Sequence, residues 1–304
     1  MLHIHPELHP DRLRGHIIGL SGPTASGKTA LALRLAEGLD SVIINADSMQ
    51  VYREIPILTA QPTPEEQATA PHQLFGIRSV AEDFSVGKWL PLATEAITHA
   101  LERGKTPILV GGTGLYFYNL INGLSEIPHV SDEVRNTART MLETQGLEAL
   151  VEDLRQRDPA TAAAIEITNP RRVLRAWEVL EATGIPLIEW QHHTAPPPFP
   201  AERYRLFFLA PERETLYARI NQRFETMFHH GALEEAKTVR KMHLSPDLPA
   251  MKAHGLPELL AHLQGTMTLE YAIAQAQMNT RRYAKRQFTW WRGQMENVTW
   301  LDVS

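Results

Sequence analysis

The sequence predicts an α/β fold, in which helices cover a parallel sheet and a small all-helical insertion interrupts the chain. Over the first 120 residues, short apolar runs alternate with helical patterns, which is typical of a parallel sheet covered on both faces. From about 125 to 195 the sequence is helix-rich and has no strand-like run. We therefore expect a core in residues 1–123 and 201–304 and a helical insertion domain in residues 124–200.

The core is predicted to contain four strands, at residues 16–21, 41–47, 106–112 and 204–210. Helical patterns cover 28–38 and 85–103, and a long helix is expected to begin near Pro211. In the insertion, Ser131 is a candidate helix cap and Gly184 a candidate helix stop. Ligands of such sheets bind beyond the carboxyl ends of the strands, so we expect the functional residues there.

Composition narrows the class of protein. The 304 residues carry a net charge of −5 and include no cysteine, which excludes disulfides, thiolate metal sites and cysteine nucleophiles. No apolar run approaches the roughly 18 residues that a membrane span needs. We expect a cytoplasmic monomer without a membrane partner. Nucleic acid stays open as a partner, because a local basic patch is enough to bind phosphates.

The start of the chain is rich in histidine, at His3, His5, His9 and His16. Such a cluster could bind a metal ion. The favoured interpretation is a solvated tail.

The stretch "GPTASGKT" at 22–29 follows the first predicted strand and precedes a predicted helix. Its glycine spacing, followed by Lys28 and Thr29, is that of a phosphate-binding P-loop, whose backbone N–H groups surround anionic oxygens. Lys28 would neutralise phosphate charge. In loops of this kind the hydroxyl of the residue that corresponds to Thr29 commonly ligates Mg²⁺. The pattern does not distinguish a kinase, a nucleotide hydrolase or another user of phosphate. The predicted phosphate-binding residues are Gly22, Pro23, Thr24, Ala25, Ser26, Gly27, Lys28 and Thr29.

Two further strand ends carry candidate residues. Asp47 closes the second strand, where a carboxylate could hold magnesium or act as a general base, although a helix cap is the alternative. The third strand ends in Gly111-Gly112-Thr113-Gly114. Small residues there let a ligand approach the backbone, or form a tight structural turn. A nucleotide hydrolase often has an acidic residue at that strand end, so its absence counts mildly against hydrolysis.

Three segments are rich in arginine. In "RINQRFETMF", Arg219 and Arg223 share one helix face and could both bind one anion; a solvated helix face is the alternative. "NTRRYAKRQFTWWRG" (279–293) combines basic and aromatic side chains, as RNA-binding proteins do, and "NPRRVLRAWEVL" (169–180) is a second basic cluster. Each alone is more typical of an amphipathic helix with core aromatics. Two such basic clusters beside a phosphate-binding site together favour RNA as a binding partner.

These segments together resemble the tRNA dimethylallyltransferases, also called tRNA isopentenyltransferases. The resemblance runs from about residue 17 to 300 and is most specific in "DSMQVY" and "VGGTGLYF". It implies transfer of a dimethylallyl group from dimethylallyl diphosphate to the exocyclic amine of an adenosine. That adenosine lies 3′ of the anticodon in tRNAs that read codons beginning with U.

The resemblance also implies roles for single residues. The loop at 22–29 and Arg223 would bind the diphosphate, Mg²⁺ would lie near Thr29, and Asp47 would accept the amine proton. Thr113 and Arg223 would lie near the reacting atoms, with Arg219 in support, and the catalytic set would be Asp47, Thr29, Thr113 and Arg223. The insertion would grip the anticodon stem-loop. The implied tRNA contacts are Asp47, Ser48, Met49, Gln50, Thr113, Arg135, Arg171, Arg172, Arg175, Lys252, Arg281, Arg282, Lys285 and Arg286.

One segment departs from the family. In "DLPAMKAHGLPEL", Lys252 stands where many relatives have arginine, and Leu256-Pro257 stand where an aromatic residue follows the glycine. Lysine keeps the charge without the bidentate fork. Two other functions stay open at this level: a small-molecule kinase or nucleotide hydrolase, and a non-catalytic RNA-binding protein.

Overall fold

The computed structural model describes residues 5–303. Its core contains one six-stranded sheet, in which every strand pairs in parallel with its neighbours. The strands are β1 (Ile17–Ser21), β2 (Ser41–Asn45), β3 (His72–Gln73), β4 (Thr106–Val110), β5 (Tyr204–Leu209) and β6 (Val298–Leu301). Their order is β3-β2-β4-β1-β5-β6. The predicted α/β class and the four predicted strands are confirmed, while the two edge strands β3 and β6 were not predicted.

Fourteen α-helices accompany the strands of the described residues. Those of the core are α1 (Pro10–Leu13), α2 (Lys28–Gly38), α3 (Pro56–Thr59), α4 (Pro64–Thr69), α5 (Val86–Glu102), α6 (Gly114–Asn122), α11 (Arg213–Met227), α12 (Leu233–Lys241), α13 (Leu256–Leu263) and α14 (Leu269–Gln294). The remaining four, α7 (Asp132–Arg157), α8 (Pro159–Ala164), α9 (Pro170–Thr183) and α10 (Leu187–His192), follow α6. The predicted helix 28–38 is confirmed in full.

Alternate residues of each central strand enter different hydrophobic clusters, because side chains of a strand point to opposite faces. Ile17, Ile44 and Leu109 pack with Trp89 of α5 on one face of the sheet. On the other face, Ile18, Leu20, Ile43 and Ile108 pack with Ala32 and Leu35 of α2. Both faces are buried, which explains why these strands read as continuous apolar runs.

The start of the chain differs from the solvated tail that we expected. Leu8 and Leu13 are buried and join the cluster around Ile18 and Leu20. The His5 and His9 side chains accept backbone N–H groups at the starts of two short helical turns. His3 lies outside the described residues. Packing of two leucines therefore orders residues 5–13, and two of the histidines act as helix caps.

Gly111 allows the ends of β2 and β4 to approach each other closely. A Cβ atom at this position would lie 2.0 Å from the carbonyl carbon and oxygen of Ala46, and backbone atoms cannot move aside as a side chain can. We predict that Gly111→Ala lowers the free energy of unfolding by about 3 kcal/mol or more, measured by urea denaturation. Gly293→Ala is the control, because its Cβ meets no atom within 4 Å and should add about 0.5 kcal/mol of stability. Equal stability of the two variants would contradict the prediction.

The chain forms two compact units, one of residues 5–121 and 198–303 and the other of Asn122–Pro197. The second unit is helical throughout and has its own apolar clusters, one of which includes Leu154, Ala176 and Leu180. The Ser131 side chain accepts from the N–H of Val134 at the start of α7. Gly184 ends α9 in the left-handed conformation at φ 69°. The helix cap and the helix stop expected from the sequence are therefore present.

Candidate active site

The predicted phosphate-binding loop joins β1 to α2 and adopts a conformation that its small residues permit. Ala25 and Gly27 have φ values of +63° and +93°. A Cβ atom at Gly22 would lie 2.9 Å from the carbonyl oxygen of Leu209, so glycine is needed there. Lys28 is the first residue of α2, and its Nζ donates to the carbonyl oxygens of Gly22 (3.1 Å) and Pro23 (2.8 Å). The loop thus places the positive end of a helix and a lysine at one point.

The two cations Lys28 and Arg223 lie close enough to the Asp47 carboxylate for it to influence their pKa values. Burial lowers the pKa of Lys28 to about 8, Asp47 opposes that shift and Arg223 adds to it. Burial also lowers the pKa of Arg223, against the attraction of Asp47. Arg219 is exposed. Of the two arginines that the sequence placed on one helix face, only Arg223 enters the environment of Lys28 and Asp47.

Asp47 lies two residues beyond the end of β2, and hydrogen bonds fix both its backbone and its side chain. The Asn45 side chain accepts from the Asp47 N–H (2.8 Å) and donates to its carbonyl oxygen (3.0 Å). Its carboxylate accepts from the N–H of Met49 (2.9 Å) and the N–H of Gly112 (3.3 Å). The contact with Met49 closes a local turn, and no helix begins within residues 46–55, so the helix cap that was the alternative interpretation of Asp47 is wrong. The same carboxylate also lies near enough to Lys28 and Arg223 to favour their charged forms, so the turn contact is compatible with a chemical role.

Thr113 lies beside Asp47, at the end of the neighbouring strand. Its Oγ1 accepts from the Ser48 N–H (2.9 Å) and donates to the Ser48 Oγ (3.2 Å). Met49 packs against the core, and the Gln50 side chain donates to the carbonyl oxygens of Thr59 and Ala60. Within the "DSMQ" stretch, Asp47 and Ser48 therefore belong to the cluster around Thr113, and Gln50 anchors the end of α3.

Sequence reasoning did not single out three other side chains of this region, those of Gln287, Tyr116 and His254, and it considered Tyr283 only as one of the aromatic residues of 279–293. Gln287 is buried and bonds to Thr24 and to Gly112. Burial and the nearby Asp47 raise the pKa values of Tyr116 and Tyr283. Burial lowers the pKa of His254, against the attraction of Asp47. One feature of the sequence could have identified Gln287: it is a polar residue that lies between Ala284 and Trp291 on the buried face of α14.

The basic and aromatic residues of α14 separate into two environments. Arg282, Lys285 and Arg286 are exposed, and Arg281 bonds to the Asn221 side chain. The aromatic residues belong to the core instead: Trp291 is buried, and Phe288 and Trp290 pack beside it. The interpretation of this segment as an amphipathic helix with core aromatics is therefore confirmed for these three residues, which fill the interface with β5 and α6.

Within the helical unit, Arg171 and Arg172 at the start of α9 are exposed, and Arg172 pairs with Glu166 at 3.7 Å. Burial lowers the pKa of Arg175, Glu178 opposes that shift and Arg135 adds to it. Arg135 and Arg175 are therefore neighbours, although they lie on α7 and α9. The unit brings together basic residues from two separate helices.

The segment that departs from the family lies between α12 and α13. Lys252 is exposed and its Nζ donates to the carbonyl oxygen of Asp247 at 3.2 Å. Leu256 is buried, and Gly255 has φ +92° beside the Phe224 ring. An apolar leucine packs at the start of α13, at the position where an aromatic residue was expected from relatives.

Within residues 5–303, no three His, Cys, Asp or Glu side chains converge on a possible metal site. Thr29 contributes a single, partly buried hydroxyl at the second residue of α2. No helix of the described part is long and apolar enough to cross a membrane.

Comparison with known proteins identifies the family. A family model described as IPP transferase matches residues 50–294, and one described as Isopentenyl transferase matches residues 15–82. The tRNA dimethylallyltransferase of Bradyrhizobium sp. strain ORS 278 is 48% identical over 283 residues, which cover 93% of this chain and 92% of that protein. The protein of the same name from Rhodopseudomonas palustris strain CGA009 is 48% identical over 296 residues, covering 97% and 92%.

Solved structures agree. The tRNA isopentenylpyrophosphate transferase of Bacillus halodurans is 39% identical, with a TM-score of 0.67, and the match covers 95% of this chain and 90% of that one. A eukaryotic dimethylallyltransferase acting on tRNA is 27% identical, with a TM-score of 0.80, and the match covers 94% of this chain and 73% of that one. The chain therefore belongs to the IPP transferase family, the family of the tRNA dimethylallyltransferases.

Proposed function

We propose that this chain transfers the dimethylallyl group of dimethylallyl diphosphate to the exocyclic amine of an adenosine next to the anticodon of tRNA. The observation that carries the proposal is the position of the Asp47 carboxylate. It accepts from the Gly112 N–H beside Thr113, and it lies near enough to the two cations Lys28 and Arg223 to favour their charged forms. A base and two anion-binding groups are the parts that this transfer needs.

The chemistry follows from the weakness of the nucleophile. The lone pair of an aromatic amine is delocalised into the ring, so the amine attacks only when its proton is removed and the leaving group is stabilised. Asp47 would accept the proton as the nitrogen forms a bond to the allylic carbon. The bond between that carbon and the diphosphate oxygen breaks in the same event, and its electron pair leaves with the diphosphate. Lys28 and Arg223 would stabilise the departing charge.

The acceptor requires a surface for RNA. Arg282, Lys285 and Arg286 are exposed on α14 and would neutralise phosphates. The exposed Arg171 and Arg172 of the helical unit offer a second basic surface. The base must leave its stack to reach Asp47, which costs a few kcal/mol and least in an unpaired loop. The anticodon loop meets that condition.

The residues near the loop could bind a magnesium ion only if the substrate diphosphate supplied further oxygen ligands. Mg²⁺ is usually held by few protein ligands together with phosphate oxygens and water, and the Thr29 hydroxyl is an oxygen ligand of that kind. We propose that Thr29 would hold Mg²⁺ when the diphosphate is bound, and that the ion would neutralise part of the diphosphate charge.

We predict that binding of the donor weakens above about pH 8. Burial lowers the pKa of Lys28 to about 8, so the free enzyme loses this positive charge as pH rises through that value. A bound dianion would favour the charged form, so the loss appears in kcat/KM for dimethylallyl diphosphate and less in kcat. Lys28→Arg should keep its charge and remove the limb near pH 8, although its absolute rate is lower. A kcat/KM that stays flat to pH 9.5 in the unmodified enzyme would contradict the prediction.

Incubation with labelled dimethylallyl diphosphate and tRNA tests the proposed function. A parallel incubation supplies labelled ATP in place of the prenyl donor, with and without tRNA. Label in the tRNA of the first reaction supports the transferase. Phosphate released from ATP, with no label in tRNA, would support a kinase or hydrolase. Binding of tRNA without either product would support a non-catalytic RNA-binding protein.

A further inference from the structure

Gln287 joins two loops of the candidate site. Its Oε1 accepts from the Thr24 N–H in the phosphate-binding loop at 3.2 Å, and its Nε2 donates to the Gly112 carbonyl oxygen at 2.8 Å. The side chain is only 6% exposed, so water cannot readily replace these bonds. A single buried amide therefore connects the loop after β1 with the loop after β4.

The connection extends to Asp47. The N–H of Gly112 donates to one oxygen of the Asp47 carboxylate at 3.3 Å, while the Gly112 carbonyl receives Gln287. Gly112 also makes room for this contact, since a Cβ atom there would lie 2.2 Å from the Gln287 Nε2 and 3.5 Å from the Asp47 carboxylate. Gln287, Gly112 and Asp47 thus form one chain of contacts.

We propose that Gln287 is a positioning residue, which fixes the spacing between the phosphate-binding loop and the Asp47 carboxylate. The inference rests on the proposed function, because the spacing matters only if a base and a diphosphate act on one reaction. Gln287 accepts from the Thr24 N–H and so fixes that peptide of the phosphate-binding loop, and it donates to the Gly112 peptide whose N–H contacts Asp47. Gln287 itself acts through these neighbours and takes no proton.

The helix α14, which carries Gln287, also carries exposed basic residues. Arg282 and Lys285 are exposed on the same helix, so the element that would touch RNA also holds the two loops from within. A rigid helix that contacts the RNA and also fixes the two loops would keep the acceptor amine at a constant distance from the prenyl donor. A displacement of about 1 Å between reacting groups can lower the rate 100-fold.

The test compares Gln287→Met, which keeps the shape of the side chain and removes both bonds, with Gln287→Glu. The glutamate carboxylate can still accept from Thr24 but repels the Gly112 carbonyl. Gln294→Met is the matched control, because Gln294 is exposed at the end of the same helix. We measure the single-turnover rate of transfer, its dependence on dimethylallyl diphosphate, tRNA affinity and urea unfolding, with rates normalised to tRNA-binding sites.

We expect both Gln287 variants to lower the single-turnover rate by about 10- to 100-fold. The dimethylallyl diphosphate concentration for half-maximal rate should rise, while tRNA affinity stays within about twofold and Gln294→Met resembles the unmodified enzyme. A purely structural role would reduce the number of folded sites and leave the rate and half-maximal concentration per site unchanged, which would overturn the inference.

A second variant keeps the inference open to refutation if Gln287→Met folds poorly. Gly112→Ala forces the Gln287 amide away while leaving its side chain intact, and the double variant should lose little more than either single one, because both changes break one link. A double variant whose rate loss equals the product of the two single losses would overturn the inference. If the unmodified enzyme transferred no label at all, the proposed function would fail, whereas normal transfer by Gln287→Met would leave that function intact.

Discussion

Asp47→Asn is expected to lower the single-turnover rate of dimethylallyl transfer by about 10²- to 10⁴-fold, the range for loss of a general base. The amide cannot accept the amine proton, but its oxygen can still accept from the Met49 N–H. tRNA affinity should therefore change little. The rate is measured with saturating tRNA and labelled donor.

Asp40→Asn is the control for that prediction. Asp40 precedes β2 at the opposite end of the same strand, is exposed, and pairs with Lys105 at 2.9 Å. Its loss should leave the rate of transfer unchanged, because exposed ion pairs contribute little even to stability. Near-normal transfer by Asp47→Asn would refute the assignment of Asp47 as the base.

Arg223→Ala should lower kcat/KM for dimethylallyl diphosphate by about 10²- to 10³-fold, which is typical when one group that stabilises developing charge is removed. The reason is the environment of Arg223, which is half-buried and lies near Lys28 and Asp47. Arg223→Lys should recover part of the loss, since lysine keeps the charge without the planar fork. Steady-state kinetics at saturating tRNA measure the effect.

Arg219→Ala provides the matched control, four residues away on α11 and exposed. We expect a change of about threefold or less, because an exposed charge is screened by water and salt. Equal losses in the two alanine variants would show that the position of Arg223 near Lys28 and Asp47 has no part in donor use.

Local patterns were sufficient for the elements that lead to the site. The apolar run before 22–29 and the glycine spacing within it predicted β1, the loop and α2, and the structure places these elements at Ile17–Ser21 and Lys28–Gly38. Asp47 was expected at the end of a strand and lies two residues beyond β2. These predictions succeeded because each depends on residues that are close together in sequence.

The edge strands β3 and β6 show where local patterns were insufficient. β3 has only two residues, and β6 is a four-residue segment that pairs with β5 near the end of the chain. Neither has a long apolar run, since an edge strand need not be buried on both faces. Their positions depend on a sheet that has already formed.

The finer organisation of the site also depends on distant partners. Gln287 and Thr24 are 263 residues apart in sequence, so no spacing rule connects them. The i,i+4 spacing of Arg219 and Arg223 predicted a shared face but could not tell which one is half-buried near Asp47, because that depends on how α11 packs against its neighbours. The aromatics of α14 similarly suited RNA stacking or core packing, and Phe288 and Trp291 pack in the core.

The most direct test of the proposed function is the stoichiometry of the reaction. Dimethylallyl diphosphate is supplied with unmodified tRNA, and the dimethylallyl groups gained by adenosine are counted by mass spectrometry of the digested nucleosides against the diphosphate released. Transfer of the dimethylallyl group with departure of an intact diphosphate predicts one diphosphate for each N6-dimethylallyladenosine. Release of monophosphate, or diphosphate without modified adenosine, would contradict it.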